Sequence, residues 1–277
     1  MKAFLFSVPF IFVICYLGIA AGNNSKVHVY VLDNGVRPDH VAFKSVVGDI
    51  FVTTERGGKH GSHATTIGGI IAGNREGIAR GKVVLHSVKI LDRFGDGKWE
   101  NLLRGLHWVL AHHEKGTPAI VNLSLGGTPE SFIARYIEKG ICDLVAEGIV
   151  VVVAAGNEGI DQKDRIPSRM EEVISVGAVT RDFKKLDASN KGSCVDLYTI
   201  GENILGPSSK RRSSWTRETG TSFAAAVVSG VVANYFFENP DALPSEVKRY
   251  LLNICQKDRI KNLPMGEGNL LLDIQLP

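Results

Sequence analysis

Three short segments contain the side chains that serine-based acyl transfer needs. Asp33 ends an apolar run, His63 opens a segment of small and apolar residues, and Ser222 lies just before three alanines. A serine hydroxyl is a weak nucleophile at neutral pH, so an imidazole must accept its proton and a carboxylate must orient that imidazole. Any one of these residues alone is more often a cap, core or surface residue. Their joint occurrence at the predicted boundaries of structural elements indicates a Ser-His-Asp hydrolase.

The order of the three residues along the chain narrows the type of hydrolase. Asp-His-Ser is the order found in subtilisins, whereas chymotrypsin-like enzymes and α/β-hydrolases use other orders. The chain also lacks the G-x-S-x-G elbow of the α/β-hydrolases. An esterase of that second fold is therefore disfavoured.

Four sequence blocks resemble the subtilisin superfamily, and most closely its proteinase K branch. Gly220–Ala225 is similar to the nucleophile motif G-T-S-M-A-[AT], and Asn122–Gly127 resembles the substrate-binding strand. Ala154–Asn157 resembles the A-A-G-N segment that ends in the oxyanion-hole asparagine, and Leu263–Leu272 resembles the closing segment of the branch. The similarity extends from Val27 almost to the last residue.

The resemblance implies a catalytic role for four residues. Asp33, His63 and Ser222 would form the triad, and the side-chain amide of Asn157 would bind the oxyanion together with the backbone N–H of Ser222. No metal takes part in this chemistry, and the chain has no H-E-x-x-H spacing of a metalloprotease.

The resemblance also implies where a peptide substrate binds. The walls of the primary specificity pocket would be Ser124, Leu125, Gly126, Ala154, Ala155 and Gly156. These small, uncharged residues favour apolar over basic side chains before the scissile bond. Backbone groups of Ser124–Gly126 and Asp96–Trp99 would bind an extended peptide as an added strand, with Trp99 in a more distant apolar subsite. Trp99 could equally pack at the start of a helix.

Two histidines compete for the role of the base. His60-Gly-Ser-His63 resembles the family segment H-G-T-H, in which the first histidine is catalytic. An ungapped count from Asp33 against proteinase K places the base at His63 and brings Gly77–Ala79 to the family spacing. Choosing His60 requires a three-residue insertion and puts two threonines where a helix packs closely. His63 is the predicted base, and His60 remains the alternative.

The elements around these residues follow the pattern of a parallel sheet with crossover helices. Short β-rich runs are predicted as strands at Val27–Leu32, Val83–Leu91, Ala119–Leu123, Ile149–Ala154 and Val173–Val176. Apolar residues recur at helical spacing over 102–110 and 132–145, so each gap holds one covering helix. The predicted fold is an α/β three-layer sandwich, with a mostly parallel central sheet and helices on both faces, as the resemblance also implies.

Composition sets limits on partners and cofactors. A chain of 277 residues with 44% hydrophobic and 22% charged residues is typical of a globular protein, and no linker divides it. The net charge of +3 gives no field that would attract nucleic acid or an anionic membrane. No nucleotide-binding signature is present, so no cofactor is expected. We expect the protein to be a monomer. Its expected partners are protein or peptide substrates and a proteinaceous inhibitor.

The first residues predict export. Met1 and Lys2 precede a nearly uncharged apolar run that ends in small residues near Ala21 and Gly22. We therefore expect residues 1–22 to be a signal peptide and 23–277 a subtilisin-like catalytic domain in a secreted, extracellular protein, without a recognisable propeptide domain. A retained membrane anchor is the competing interpretation, although Pro9 interrupts the run.

Cysteines and metals give weaker expectations. Cleavage of the signal would leave Cys142, Cys194 and Cys255, an odd number that permits at most one bridge. The resemblance implies a structural calcium near Asp196, with other ligands that are largely backbone atoms. The leading hypothesis is an active secreted endopeptidase. The rival hypothesis is a catalytically impaired, protease-like secreted binding protein.

Overall fold

The computed structural model describes residues 26–43, 58, 60–80, 83–265 and 267–276, together with the backbone of 47–52. The predicted signal peptide, residues 1–22, lies outside the described residues.

A nine-stranded sheet forms the centre of the described structure. In chain order, the strands of the whole fold are β1 (Val27–Asp33), β2 (Val47–Val52), β3 (Val83–Lys89), β4 (Ala119–Leu123), β5 (Val150–Ala154), β6 (Ile174–Val179), β7 (Leu197–Ile200), β8 (Ile204–Ser208), β9 (Ser214–Glu218), β10 (Gln256–Lys257) and β11 (Leu270–Leu272). The order across the sheet is β10-β11-β7-β6-β5-β4-β1-β3-β2, and all neighbours pair in parallel except β10 with β11. Strands β8 and β9 form a separate antiparallel hairpin.

Helices cover both faces of the sheet. Their bounds are α1 (Ser62–Ala72), α2 (Trp99–His112), α3 (Ser131–Ala146), α4 (Thr221–Glu238) and α5 (Pro244–Ile254). Buried residues of α1, α4 and α5 share one apolar cluster with the sheet, and those of α2 and α3 share another. Central strands with a helical layer on each side are buried on both faces, and β4 and β5 are accordingly apolar except for Asn122. The predicted three-layer α/β fold is confirmed.

The helix α4 crosses the centre of its layer and is buried around most of its circumference. Residues 224–233 of this helix are mostly alanine and valine, with one glycine, so the helix approaches the sheet and α1 closely. Asn122 Nδ2 of β4 donates to Ser229 Oγ of α4 over 3.0 Å, inside the core. This bond fixes the helix that carries Ser222 against the sheet. No helix of the described residues combines the length and apolar character needed to cross a bilayer.

Candidate active site

The carboxyl-terminal edge of the sheet brings the predicted site residues together. Asp33 is the last residue of β1, Ser124 follows β4, and Asn157 follows β5. These residues share one edge because strands that run in parallel all deliver their carboxyl ends there, and helices α1 and α4 begin beside it. These helix starts carry His63 and Ser222.

A short hydrogen bond joins Asp33 and His63. His63 Nδ1 lies 2.8 Å from Asp33 Oδ2, and the carboxylate is fully buried. The other oxygen, Asp33 Oδ1, accepts the backbone N–H of Asn34 at 2.6 Å. Because Nδ1 is engaged by the carboxylate, Nε2 is the ring atom of His63 that remains to exchange a proton with another group.

The competing histidine has a different partner. His60 Nδ1 lies 3.0 Å from the backbone oxygen of Val36. The structure therefore places His63, and not His60, beside the buried carboxylate. The catalytic role of His63 stays a prediction.

A close contact between two loops fixes the start of α1. Asn34 Oδ1 accepts the N–H of Ala64 at 3.0 Å, and the N–H of Gly61 donates to Gly35 O at 2.8 Å. A Cβ atom on Gly61 would lie 2.0 Å from Asn34 Cγ, so only glycine fits there. The end of β1 and the start of α1 are thus held in one arrangement, which brings His63 to Asp33.

Ser222 occupies the second position of α4 and is almost fully buried. Its Oγ lies 3.5 Å from the backbone oxygen of Ser124, and this is its one hydrogen bond within the described part of the chain. Ser124 Oγ in turn donates to Ser222 O at 3.1 Å. Both Ser222 and His63 line the same cavity, so a change in χ1 of the serine moves its oxygen within that shared space.

The amide of Asn157 is oriented by the residue before Ser222. Asn157 Oδ1 accepts the N–H of Thr221 at 2.9 Å and lies 3.2 Å from Thr221 Oγ1. The NH2 group of Asn157 is therefore left to face the cavity. Gly220 has φ 149°, and a Cβ there would lie 3.2 Å from Asn157 Oδ1. At a helix start the first N–H groups have no acceptor within the helix, so the N–H of Ser222 is a second donor at this place.

A cavity of about 470 Å³ lies between these groups. His63, Asn157 and Ser222 line it, and so do all six residues predicted as pocket walls, Ser124, Leu125, Gly126, Ala154, Ala155 and Gly156. The buried Asp33 lies behind His63.

Several residues at the cavity were missed by the sequence reasoning. They are Asn34, Ser62, Leu91, Arg93, Phe94, Gly95, Glu158, Arg165 and Ser168. The side chains of Arg165 and Glu158 form an ion pair of 2.8 Å. Gly127 and Ile166 exchange two backbone hydrogen bonds, of 3.0 and 2.8 Å. This pairing brings the segment that contains Arg165 and Ser168 to the pocket. No motif or spacing in the sequence signals that pairing.

A second, smaller cavity of about 150 Å³ adjoins the first. Trp99 lines it, and Leu91, Gly95, Leu125 and Gly126 line both cavities. Trp99 is also the first residue of α2 and packs against the apolar cluster of that layer. Trp99 thus lies at a cavity and also packs at the start of a helix, and its role in a substrate subsite stays a prediction. Of the segment Asp96–Trp99, which was expected to bind peptide backbone, Gly97–Trp99 lies at this second cavity. The residues just before that segment, Arg93–Gly95, line the first cavity.

Asp196, beside which the resemblance implies a structural calcium, has other partners for its carboxylate. Asp196 Oδ1 lies 2.8 Å from the ammonium nitrogen of Lys248, and Oδ2 accepts the N–H of Ser175 at 2.8 Å. Both carboxylate oxygens are engaged, one of them by a cation. Elsewhere, Cys142, Cys194 and Cys255 are all unpaired thiols.

The charges around His63 raise its pKa above the ordinary value of 6.5. Burial alone would lower this pKa, but the charge of Asp33, the hydrogen bond to it and the charge of Glu218 outweigh burial. A base must be neutral to accept a proton, so kcat/KM for peptide hydrolysis is expected to fall as the pH falls through a value above 6.5. Glu218→Gln removes one of the charges, so the acidic limb of a pH–rate profile is expected to move to lower pH. An acidic limb centred below 6.5 in the wild type would contradict this assignment.

Comparison with known proteins decides the family. A model described as the Subtilase family, peptidase S8, matches residues 24–268. This chain belongs to the subtilase family. The family resemblance of the sequence blocks is thereby confirmed.

Curated relatives and solved structures agree with this subtilase assignment. An extracellular serine proteinase of Thermus sp. (strain Rt41A) is 34% identical over 249 residues, which are 89% of this chain and 59% of the relative. Alkaline serine exoprotease A of Vibrio alginolyticus is 31% identical over 258 residues, 90% of this chain and 46% of the relative. The chain thus spans about half the length of these relatives. The crystal structure of a cold adapted subtilisin-like serine proteinase superposes with a TM-score of 0.81 at 26% identity, covering 93% of this chain and 92% of that one.

Proposed function

We propose that this subtilase is a secreted serine endopeptidase that cleaves peptide bonds through an acyl-enzyme on Ser222. The observation that carries the proposal is the 2.8 Å bond between His63 Nδ1 and the buried Asp33, at a cavity shared with Ser222 and Asn157. Serine proteinases among the relatives support the same activity.

The first half of the reaction forms an ester. Ser222 Oγ turns from the carbonyl of Ser124 towards His63, a rearrangement in keeping with catalytic hydrogen bonds that tighten only when substrate binds. The oxygen attacks the scissile carbonyl carbon while His63 Nε2 takes its proton, and the carbonyl π electrons move to oxygen. The imidazolium then gives this proton to the leaving amine as the C–N bond breaks. Asp33 orients the ring and stabilises its charged form.

The second half repeats these steps with water. Water attacks the ester carbonyl, its proton passes to His63, and the proton returns to Ser222 Oγ as the ester C–O bond breaks. In both halves, the amide NH2 of Asn157 and the N–H of Ser222 donate to the oxygen that becomes negative. These donors are fixed beforehand by Thr221 and by the start of α4, so they need no rearrangement as charge develops.

The pocket walls indicate a preference for apolar side chains before the scissile bond. Ala154, Gly156 and Gly126 offer no charge that would pair with a buried ammonium, and the carboxylate of Glu158 is already paired with Arg165. We therefore expect kcat/KM for a tetrapeptide anilide ending in Phe to exceed that of its Lys analogue by roughly 10-fold or more. Arg165→Ala removes the partner of the Glu158 carboxylate, which could then pair with a substrate lysine. We therefore expect a smaller difference in kcat/KM between the Phe and Lys substrates for this variant. A wild type that prefers Lys would refute this account of the pocket.

Activity is tested by hydrolysis with the full chain. We expect purified protein to cleave denatured casein and a quenched peptide blocked at both ends, and a folded Ser222→Ala variant to cleave neither at a comparable rate. If the folded wild type cleaves nothing yet still binds peptides, the binding-protein hypothesis replaces this one.

Export is a further part of the proposal. The apolar run that ends near Ala21 and Gly22 and the extracellular relative support it. Amino-terminal sequencing of protein from the culture medium is expected to begin close to Gly22. Full-length protein that stays in the membrane fraction would support the anchor interpretation instead.

A further inference from the structure

A lysine ammonium lies at a point where three oxygens converge, far along the chain from the proposed catalytic residues. Lys248 Nζ donates to the backbone oxygens of Glu171 at 3.0 Å and of Val173 at 2.8 Å, and lies 2.8 Å from Asp196 Oδ1. An ammonium has three N–H donors, so these oxygens use all of them. The side chain of Lys248 is only 23% exposed, which is low for a lysine.

These three oxygens have the chemistry of a metal site. Carbonyl and carboxylate oxygens are the ligands that Ca²⁺ takes, at roughly 2.3–2.6 Å. An ion at the centre of the same three oxygens would overlap Lys248 Nζ, so the two cations exclude each other. The Asp196 carboxylate is also fixed independently of the lysine, because Ser175 exchanges two hydrogen bonds with Asp196, of 2.8 and 3.0 Å.

We infer that Lys248 is a tethered cation that fills an oxygen site suited to calcium, so that this part of the fold is held without a metal. The inference is independent of the proposed function, because it concerns stability and cation binding only.

The site connects parts of the chain that are distant in sequence. Glu171 and Val173 precede β6, Asp196 precedes β7, and Lys248 lies on α5. The ammonium therefore ties the segments before two neighbouring strands, β6 and β7, to the helix α5. Neutralising it without replacement leaves a carboxylate and two carbonyl oxygens short of a donor, which destabilises the folded state.

Three variants of the full chain test the inference by thermal unfolding in EDTA and in CaCl2. We expect the wild-type Tm to be the same in both. Lys248→Ala is expected to lower the Tm in EDTA by roughly 5–10 °C, and CaCl2 to restore most of the loss because the space is open. Lys248→Met is expected to lower the Tm in EDTA by as much as Lys248→Ala does. CaCl2 is expected not to restore its Tm, because the methionine side chain fills the space but carries no charge. The matched control is Lys139→Ala, which removes an exposed ion pair with Asp143 and is expected to change little.

Three results would overturn the inference: a calcium-dependent Tm of the wild type, a Lys248→Ala variant as stable as the wild type, or one that CaCl2 fails to restore. A second measurement needs no variant. We expect acetylation of the Lys248 amine in the folded wild type to be at least roughly tenfold slower than that of Lys139, in EDTA and CaCl2 alike. Acetylation as fast as at Lys139, or acceleration by CaCl2, would show that the oxygens do not hold the ammonium against a metal.

Discussion

His63→Ala is expected to lower kcat for peptide hydrolysis by about 10⁶-fold, the loss that removal of the catalytic histidine causes in subtilisin itself. Without an imidazole beside Asp33, no group can take the proton of Ser222 as it attacks. His60→Ala is the matched control, three residues away, because His60 contacts the backbone oxygen of Val36 and not the carboxylate. We expect His60→Ala to keep kcat within a few-fold of the wild type.

Steady-state kinetics of both variants with one peptide anilide check this prediction, and thermal unfolding shows whether each variant is folded. If folded His60→Ala shows the large loss of kcat and His63→Ala stays active, the base is His60 and the assignment is reversed.

Asn157→Ala is expected to lower kcat by about 10²–10³-fold and to leave KM nearly unchanged, an effect whose size is known from the equivalent change in subtilisin. The amide NH2 contacts an oxygen that is negative only in the transition state, so its loss affects the chemical step rather than substrate binding. Asn157 is exposed, and among the described residues its side-chain oxygen has hydrogen bonds only with Thr221 at the start of α4, so we expect the variant to fold.

The control for this variant is Asn239→Ala, which changes the same residue type at the far end of α4, about 25 Å along the helix from Ser222. It is expected to leave kcat unchanged. An Asn157→Ala variant with normal kcat and a raised KM would contradict the oxyanion role.

The central elements of the fold could be predicted from sequence because they are buried on both faces. The run Val150–Ala154 is apolar throughout and Ala119–Leu123 is apolar except for the buried Asn122, a pattern that marks the middle of a parallel sheet. The strands β7 to β11 were not predicted. They are two to five residues long, and their apolar positions follow no regular period, so their pairing depends on the rest of the fold.

The candidate site divides in the same way. Asp33 and Ser222 lie at predicted element boundaries that the sequence reveals. The choice between His63 and His60 as the base depended only on their distance in sequence from Asp33. The contact of Gly61 with Asn34 sets the position of α1 relative to Asp33, and it is a tertiary contact without a sequence pattern. The oxygen site around Lys248 could not be predicted, because two of its three oxygens belong to the backbone.

Labelling with a fluorophosphonate probe, followed by peptide mapping, tests the central claim most directly. The probe forms a covalent bond with a serine only where a base activates it. We expect label on Ser222 of the wild type, retained in His60→Ala and lost in folded His63→Ala and Ser222→Ala. Label that survives His63→Ala and disappears with His60→Ala, or no label on a folded wild type, would contradict the central claim.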